Sequence, residues 1–185
     1  MRTKAKATVE DLYNVTEDGK AEIVNGELVF MSPTGAKSGR AGGEIYFSLR
    51  LHEEQMGGGY AFPDNVGFVV NLPHRNSFSP DAAWYVGDVA GMGFAQGAPI
   101  FAAEVRSKND YGSQAEQEIN QKIRDYFSAG TQVVWDVDVL SDVVIKKYTA
   151  SNPEYPVLFL WSDTADAEPA VPGWKMAVNR LFKKQ

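Results

Sequence analysis

The alternation of apolar and polar positions divides the chain into short elements. Thr8-Val9-Glu10-Asp11 places an acid three residues after a threonine, the pattern of a helix N-terminus, and predicts a short helix through Tyr13. Ala21-Glu22-Ile23-Val24 and Glu27-Leu28-Val29-Phe30-Met31 flank Asn25-Gly26. Both turn residues tolerate positive φ, so this segment predicts a two-residue hairpin. Ser32-Pro33-Thr34-Gly35 reads as a loop, and 38–55 as a helix with Ile45, Leu49 and Tyr46 turned inward. Glycines 57–59 mark a turn. Residues 60–62, 66–71 and 82–86 read as strands, and 88–99 as a glycine-rich loop.

A strand is expected over 100–106. Ser113-Gln114-Ala115-Glu116 has the form of a capping box and opens a helix that ends at Gly130. Strands over 132–138 and 143–148 follow, with Asp142 in the turn between them. Residues 157–161 predict an edge strand, and Val171-Pro172-Gly173-Trp174 irregular chain folded back on the core. The helix after Ser113 joins two strands, which are therefore expected to be parallel, with a right-handed crossover. The sum is an α/β sandwich built around a mixed β-sheet. No internal repeat or Pro/Gly/Ser-rich linker divides the 185 residues, so one domain is expected.

Composition narrows the chemistry. The absence of cysteine excludes disulfides, thiolate nucleophiles and Cys-ligated zinc. The basic N-terminal residues lack the apolar stretch of a signal peptide, and no run of about 18 apolar residues occurs. A cytoplasmic location is the expectation. The formal net charge of −6 counts against avid non-specific binding to nucleic acid, which depends on Lys and Arg.

The candidate chemistry lies in two strands. Ser79-Pro80-Asp81 begins one, and Glu104-Val105-Arg106 ends another. Period two puts Glu104 and Arg106 on one face, with the small Ala102 leaving room beside them. A carboxylate ending an apolar strand is costly unless exposed, paired or metal-bound. Two acids converging across neighbouring strands would suit Mg²⁺, which takes oxygen ligands from one or two carboxylates plus waters. The bland alternative is a turn residue at Asp81 and a Glu104–Arg106 ion pair. On the helix after Ser113, Lys122 falls about 20° from Ala115, on the rim of the inward face and within reach of the strand end. Its alternative is a lysine snorkelling to solvent.

The ordered segments Ala21-Glu22-Ile23-Val24-Asn25-Gly26-Glu27-Leu28, Met31-Ser32-Pro33-Thr34-Gly35, Ser79-Pro80-Asp81-Ala82-Ala83 and Ala103-Glu104-Val105-Arg106-Ser107 resemble the Uma2 (DUF820) family of restriction-endonuclease-like proteins. Lys122-Ile123-Arg124-Asp125-Tyr126 and the run Ala129-Gly130-Thr131-Gln132-Val133-Val134-Trp135-Asp136-Val137-Asp138 extend the resemblance, which spans about 8–182. It implies the PD-(D/E)xK nuclease fold, a restriction-endonuclease-like mixed β-sheet flanked by helices. It also implies Pro80-Asp81 as the motif's first part and Glu104 as its second acid. The motif lysine falls at Arg106, which cannot serve as a base. Arg106 could orient water or stabilise phosphate charge, with the basic role moved to Lys122. Glu22 matches a recurring glutamate that could bind metal or hold Arg106 or Lys122, or else be an exposed strand residue. Glu44 is a weaker candidate for a helix-borne acid.

The leading expectation is a Mg²⁺- or Mn²⁺-dependent endonuclease acting on DNA. Asp81, Glu104 and the Val105 carbonyl would hold the metal, and Lys122 and Arg106 would serve water and phosphate. The alternative is a catalytically inactive module of the same fold, binding DNA or protein. Glycoside hydrolysis by the paired acids ranks lower, since nothing marks a sugar groove. A homodimer is expected, with the apolar residues 157–161 as its edge or interface. His52 and His74 lack zinc-ligand spacing and read as surface residues. Ser107, Ser113 and Ser141 lack a nucleophile-elbow context. Lys146-Lys147 and Lys183-Lys184 read as solvated ends.

Overall fold

A computed structural model describes residues 6–15, 19–89 and 91–182. In chain order the elements are α1 (Val9–Tyr13), β1 (Ala21–Val24), β2 (Glu27–Phe30), α2 (Ala36–Met56), β3 (Tyr60–Pro63), β4 (Phe68–Val69), β5 (Ser77–Phe78), β6 (Ala82–Tyr85), β7 (Ala95–Gln96) and β8 (Phe101–Val105). There follow α3 (Ser113–Ser128), β9 (Val133–Val137), β10 (Val143–Thr149), β11 (Asn152–Leu160), β12 (Thr164–Asp166), β13 (Lys175–Ala177) and a 3₁₀ turn, Val178–Leu181.

Six strands form the main sheet in the order β11-β10-β9-β8-β6-β3. Only β8 and β9 are parallel, because α3 crosses between them; the other neighbours are antiparallel. Alternation along the strands sends side chains to two packed faces. Ala82, Trp84, Phe101, Ala103, Val105 and Trp135 meet Ala41, Ile45 and Leu49 of α2. Ala83, Tyr85, Ala102 and Val134 meet Ile123 and Tyr126 of α3, with Phe68 and Phe78 from a small three-stranded sheet, β5-β4-β7. Register places Ala82 against Ala103 and Ala83 against Ala102, so the sheet centre carries methyl groups and the helices lie close to it. Glu104 pairs in register with Asp136 and therefore shares the α3 face with it.

Local signals hold where the chain settles them by itself. Thr8 caps α1 in a box with Asp11. Asn25 and Gly26 turn the hairpin with φ of 53° and 75°. Trp174 folds back as expected, stacked on Trp135 at 5.1 Å, and its indole N–H donates to the Ser48 hydroxyl of α2 at 3.1 Å.

Elsewhere tertiary partners override the local reading. No capping box forms at α3. Its N-cap is Gly112, without a side-chain bond, and Glu116 turns to Arg106 instead. The cap at the other end is Ala129, with Gly130 following at φ 104°. The strand expected over 66–71 shrinks to Phe68–Val69, and the loop expected over 88–99 contains β7, paired parallel to β4. The edge strand is β11, nine residues long. Lys147 is buried on Asp166 at 2.6 Å, not solvated. His52 and His74 are half-buried, against Trp84 and Asp125 respectively. Lys183-Lys184 lie outside the described residues.

Two glycines give opposite tests of this packing. A Cβ at Gly59 would sit 2.4 Å from the Trp84 indole nitrogen and 2.8 Å from the Tyr85 carbonyl. Gly59→Ala is expected to lower stability by about 1–3 kcal/mol, as overpacking does. A Cβ at Gly43, on the exposed face of α2, meets nothing. Gly43→Ala is expected to raise stability by roughly 0.5–1 kcal/mol. Urea midpoints of the two variants and the parent measure both.

Candidate active site

Asp81 stands immediately before β6. Its N–H donates to the Ala103 carbonyl at 3.0 Å, and its Oδ2 accepts the Val105 N–H at 2.7 Å. One carboxylate is thus tied to the strand that carries Glu104. The close approach of α2 at Gly42 backs it; a Cβ there would lie 3.4 Å from the Asp81 Cβ. The other oxygen, Oδ1, accepts from Lys20 Nζ at 3.2 Å, and Lys20 also holds Asp64 at 2.6 Å.

Glu104 is met by two groups of α3. Lys122 Nζ lies 2.9 Å from Oε2, and the Tyr126 hydroxyl donates to Oε1 at 2.5 Å. The two are four residues apart and so share a helix face. Lys122 reaches Glu22 of β1 as well, at 3.0 Å. Burial pushes the Glu104 carboxyl above its ordinary range; Lys122 opposes this, and Asp81 and Glu22 add to it. For Lys122, burial favours the neutral amine, but Glu104 and Glu22 outweigh it and hold the ammonium charged. The Tyr126 phenol is raised well above its ordinary value by burial and by Glu104, so it stays a donor.

A second layer of charge fixes the first. Glu22 is buried; its Oε1 accepts the Ser79 N–H at 2.8 Å and its Oε2 meets Arg75 at 2.5 Å. Arg75 Nε donates to Asp125 at 2.8 Å, and Asp125 also meets His74 and Gln121, each at 2.7 Å. Arg75 lies over the Phe78 ring, which stacks on Tyr126 at 4.0 Å. Burial opposes ionisation of Glu22 but is outweighed by Lys122 and Arg75, and its carboxyl is held below the ordinary range. At Asp125 burial is likewise outweighed, by His74, Arg75 and Gln121.

Of the residues singled out in the sequence, Asp81, Glu104, Lys122 and Glu22 come together. Glu22 is a buried strand residue holding Lys122, not an exposed one and not a partner of Arg106. Arg106 is 7% exposed and makes no ion pair with Glu104. Its Nε and Nη2 grip both oxygens of Asp136 at 2.7 Å, and Glu116 takes the remaining fork. Its carbonyl accepts the Ser38 hydroxyl at 2.7 Å, tying the strand end to α2. Val105 contributes its N–H, to Asp81. Glu44 is paired with Arg40 and Arg180, outside this cluster. Sequence reasoning missed Lys20, Arg75, Asp125 and the hydroxyl of Tyr126. Lys20 stands two positions before Glu22, so strand alternation could have found it. Arg75 comes from a loop with no periodic signal.

These side chains line a cleft of about 710 Å³, with Val29 and Met31 of the hairpin segment on one wall. Among the described residues, no group of three or more acid or histidine side chains is arranged to hold a metal ion. Asp81 and Glu104 do offer the two hard oxygen donors that Mg²⁺ takes alongside water. Burial first, and the charges of Asp81 and Glu22 after it, raise the Glu104 carboxyl, and a cation here would favour its ionised form.

The six-stranded mixed sheet flanked by helices is a nuclease fold. It matches a crystal structure from Anabaena variabilis described as a "putative nuclease belonging to DUF820", with TM-score 0.74, 15% identity and coverage of 95% of this chain and 97% of that one. The chain belongs to the Uma2 family, described as "putative restriction endonuclease", which matches residues 7–179. None of the curated proteins compared with it matches. No helix among the described residues is long and apolar enough to cross a membrane.

Removing Arg75 would take away the cation that Glu22 and Asp125 share, leaving Glu22 to Lys122, itself shared with Glu104, and Asp125 to His74 and Gln121. Arg75→Met is expected to cost about 3–5 kcal/mol at neutral pH. The sign with pH follows from the lowered carboxyls. Their stabilisation is complete above the unfolded carboxylate range and is lost as pH falls through the lower folded values. The variant lacks this loss, so the stability gap is expected to narrow on acidification. Urea melts of both proteins from neutral pH to about pH 2, through the lowered carboxyl values, check it.

Proposed function

We propose that the protein is a divalent-metal-dependent endonuclease that hydrolyses phosphodiester bonds in DNA. The observation that carries this reading is Glu104, half-buried beside Asp81 and held by both Lys122 and Tyr126. Asp81 and Glu104 would hold Mg²⁺ or Mn²⁺, with the Val105 carbonyl as a further oxygen donor. The ion would polarise a phosphoryl oxygen and lower the pKa of its water. The chain's own residues have separate tasks. The Val105 N–H aims Asp81 at the cleft. Lys122 keeps Glu104 and Glu22 together despite their like charge, and as a held ammonium it is a donor towards phosphate and not a base. Tyr126 fixes the rotation of the Glu104 carboxylate. Arg106 clamps the strand end to β9 and α3. We place the protein in the cytoplasm and as a homodimer. Support for self-association comes from the exposed apolar side chains of the β11 edge, continued by Trp161 at 56% exposure.

One observation favours a second reading, a non-catalytic module of the same fold. Arg106, at the position of the motif lysine, spends its guanidinium on Asp136 and Glu116.

Cleavage of single-stranded, duplex and supercoiled DNA with Mg²⁺, Mn²⁺ or EDTA separates the two. The nuclease reading expects cleavage by the parent, abolished by EDTA and lost in Asp81→Ala and Glu104→Ala at unchanged far-UV circular dichroism. Lys122→Met is expected to lose roughly 10–100-fold, the usual effect of removing a group that holds a ligand. DNA binding without turnover under every metal would support the module instead.

A further inference from the structure

The cleft contains a cation that neither the nuclease reading nor the motif uses. Lys20 is 15% exposed at its side chain, and its carbonyl accepts the Met31 N–H at 2.9 Å, which fixes its backbone to the hairpin. Its ammonium bridges Asp81 Oδ1 at 3.2 Å and Asp64 Oδ1 at 2.6 Å. The two acids are neighbours by register. Pro63 pairs with Ala82 in the antiparallel β3–β6 ladder, so Asp64 and Asp81 each stand one residue beyond that pair. Asp64 is 48% exposed, in the turn after β3, and it is the closer of the two partners. Lys122, by contrast, lies between Glu22 and Glu104, at nearly equal distances. Lys20 can therefore leave Asp81 without losing its anchor, and the oxygen it would release belongs to a proposed metal ligand.

We propose that Lys20 is a positioning residue that competes with a divalent cation for the Asp81 carboxylate and rests on Asp64 alone once the cation binds. This rests on the reading of Asp81 as a metal ligand. Lys20 then sets the affinity of the site. It fills the negative cleft while no metal is bound, and when one is it stands beside the metal position, held by Asp64 with N–H groups left to donate to phosphate.

Calorimetric titration of Mn²⁺ into the DNA-free protein tests this. The proteins are the parent, Lys20→Met, Asp64→Asn, their double variant, Asp81→Asn and, as a charge control, Lys37→Met on the exposed face of α2. Thermal melts confirm that each is folded. Lys20→Met is expected to bind Mn²⁺ on the order of tenfold more tightly, since a nearby unit charge of the same sign is removed. Lys37→Met is expected to match the parent. Asp64→Asn leaves Lys20 wholly on Asp81 and is expected to bind more weakly. The double variant is expected to bind like Lys20→Met, because the effect of Asp64 runs through Lys20. The proposal is overturned if Lys20→Met binds no more tightly than the parent, or if Asp64→Asn weakens binding equally in both backgrounds. If Asp81→Asn loses Mn²⁺ while Lys20→Met changes nothing, only this proposal falls. If Asp81→Asn binds as the parent does, or no protein binds, the metal reading of Asp81 falls with it.

Discussion

Glu22 and Glu104 come from different strands, and both are held by the ammonium of Lys122. Without that cation between them, a buried and a half-buried carboxylate would have to separate or take up protons. The surroundings follow from keeping this contact. Tyr126, one turn along α3, takes the free oxygen of Glu104. Arg75 takes the free oxygen of Glu22 and in turn needs Asp125, on the same helix as Lys122. α3 is thereby locked to the hairpin and to the sheet by charge as well as by Ile123 and Tyr126 in the apolar layer. Asp81 is independent of this network's hydrogen bonds, being held by the Val105 amide, yet it adds its field to Glu104.

The electrostatics of the cleft explain how an acidic chain can hold so many cations in one place. Lys20, Lys122, Arg75 and Arg106 each sit between two carboxylates. Such paired charges give little long-range attraction to a polyanion. Attraction to phosphate would grow only as individual contacts are exchanged for substrate or metal. A site of this kind gains its selectivity at short range, from which acid each cation can give up.

The sequence disclosed what local chemistry decides. Asn25-Gly26 fixes its own turn, the apolar spacing of Ile45 and Leu49 orients α2, and helix geometry put Lys122 on the rim from which it reaches Glu104. Asp81 and Glu104 were legible because each ends or begins a strand and both fall within the family resemblance. The failures share one cause, a partner distant in sequence. Glu104 and Arg106 share a face, but Asp136 on the neighbouring strand offers Arg106 a bidentate acceptor and wins it. The capping box at Ser113 fails because the same arginine draws Glu116 away. For Glu22 the sequence left a partner of Lys122 and an exposed strand residue both open; it is a buried partner of Lys122, covered by Arg75, 53 residues later.

The indole of Trp174 reaches Ser48 across 126 residues of chain. It also completes the aromatic stack over Trp135 and Phe101 on the α2 side of the sheet. Contacts of such long separation close late, because the entropy of the intervening loop must be overcome first. On a ribosome, α2 emerges long before the tail that covers its sheet face. For that interval the central aromatic layer is open to water and to other nascent chains. This layer is therefore completed only once Trp174 is available, whereas the layer on the opposite face, with α3, draws on residues that precede it.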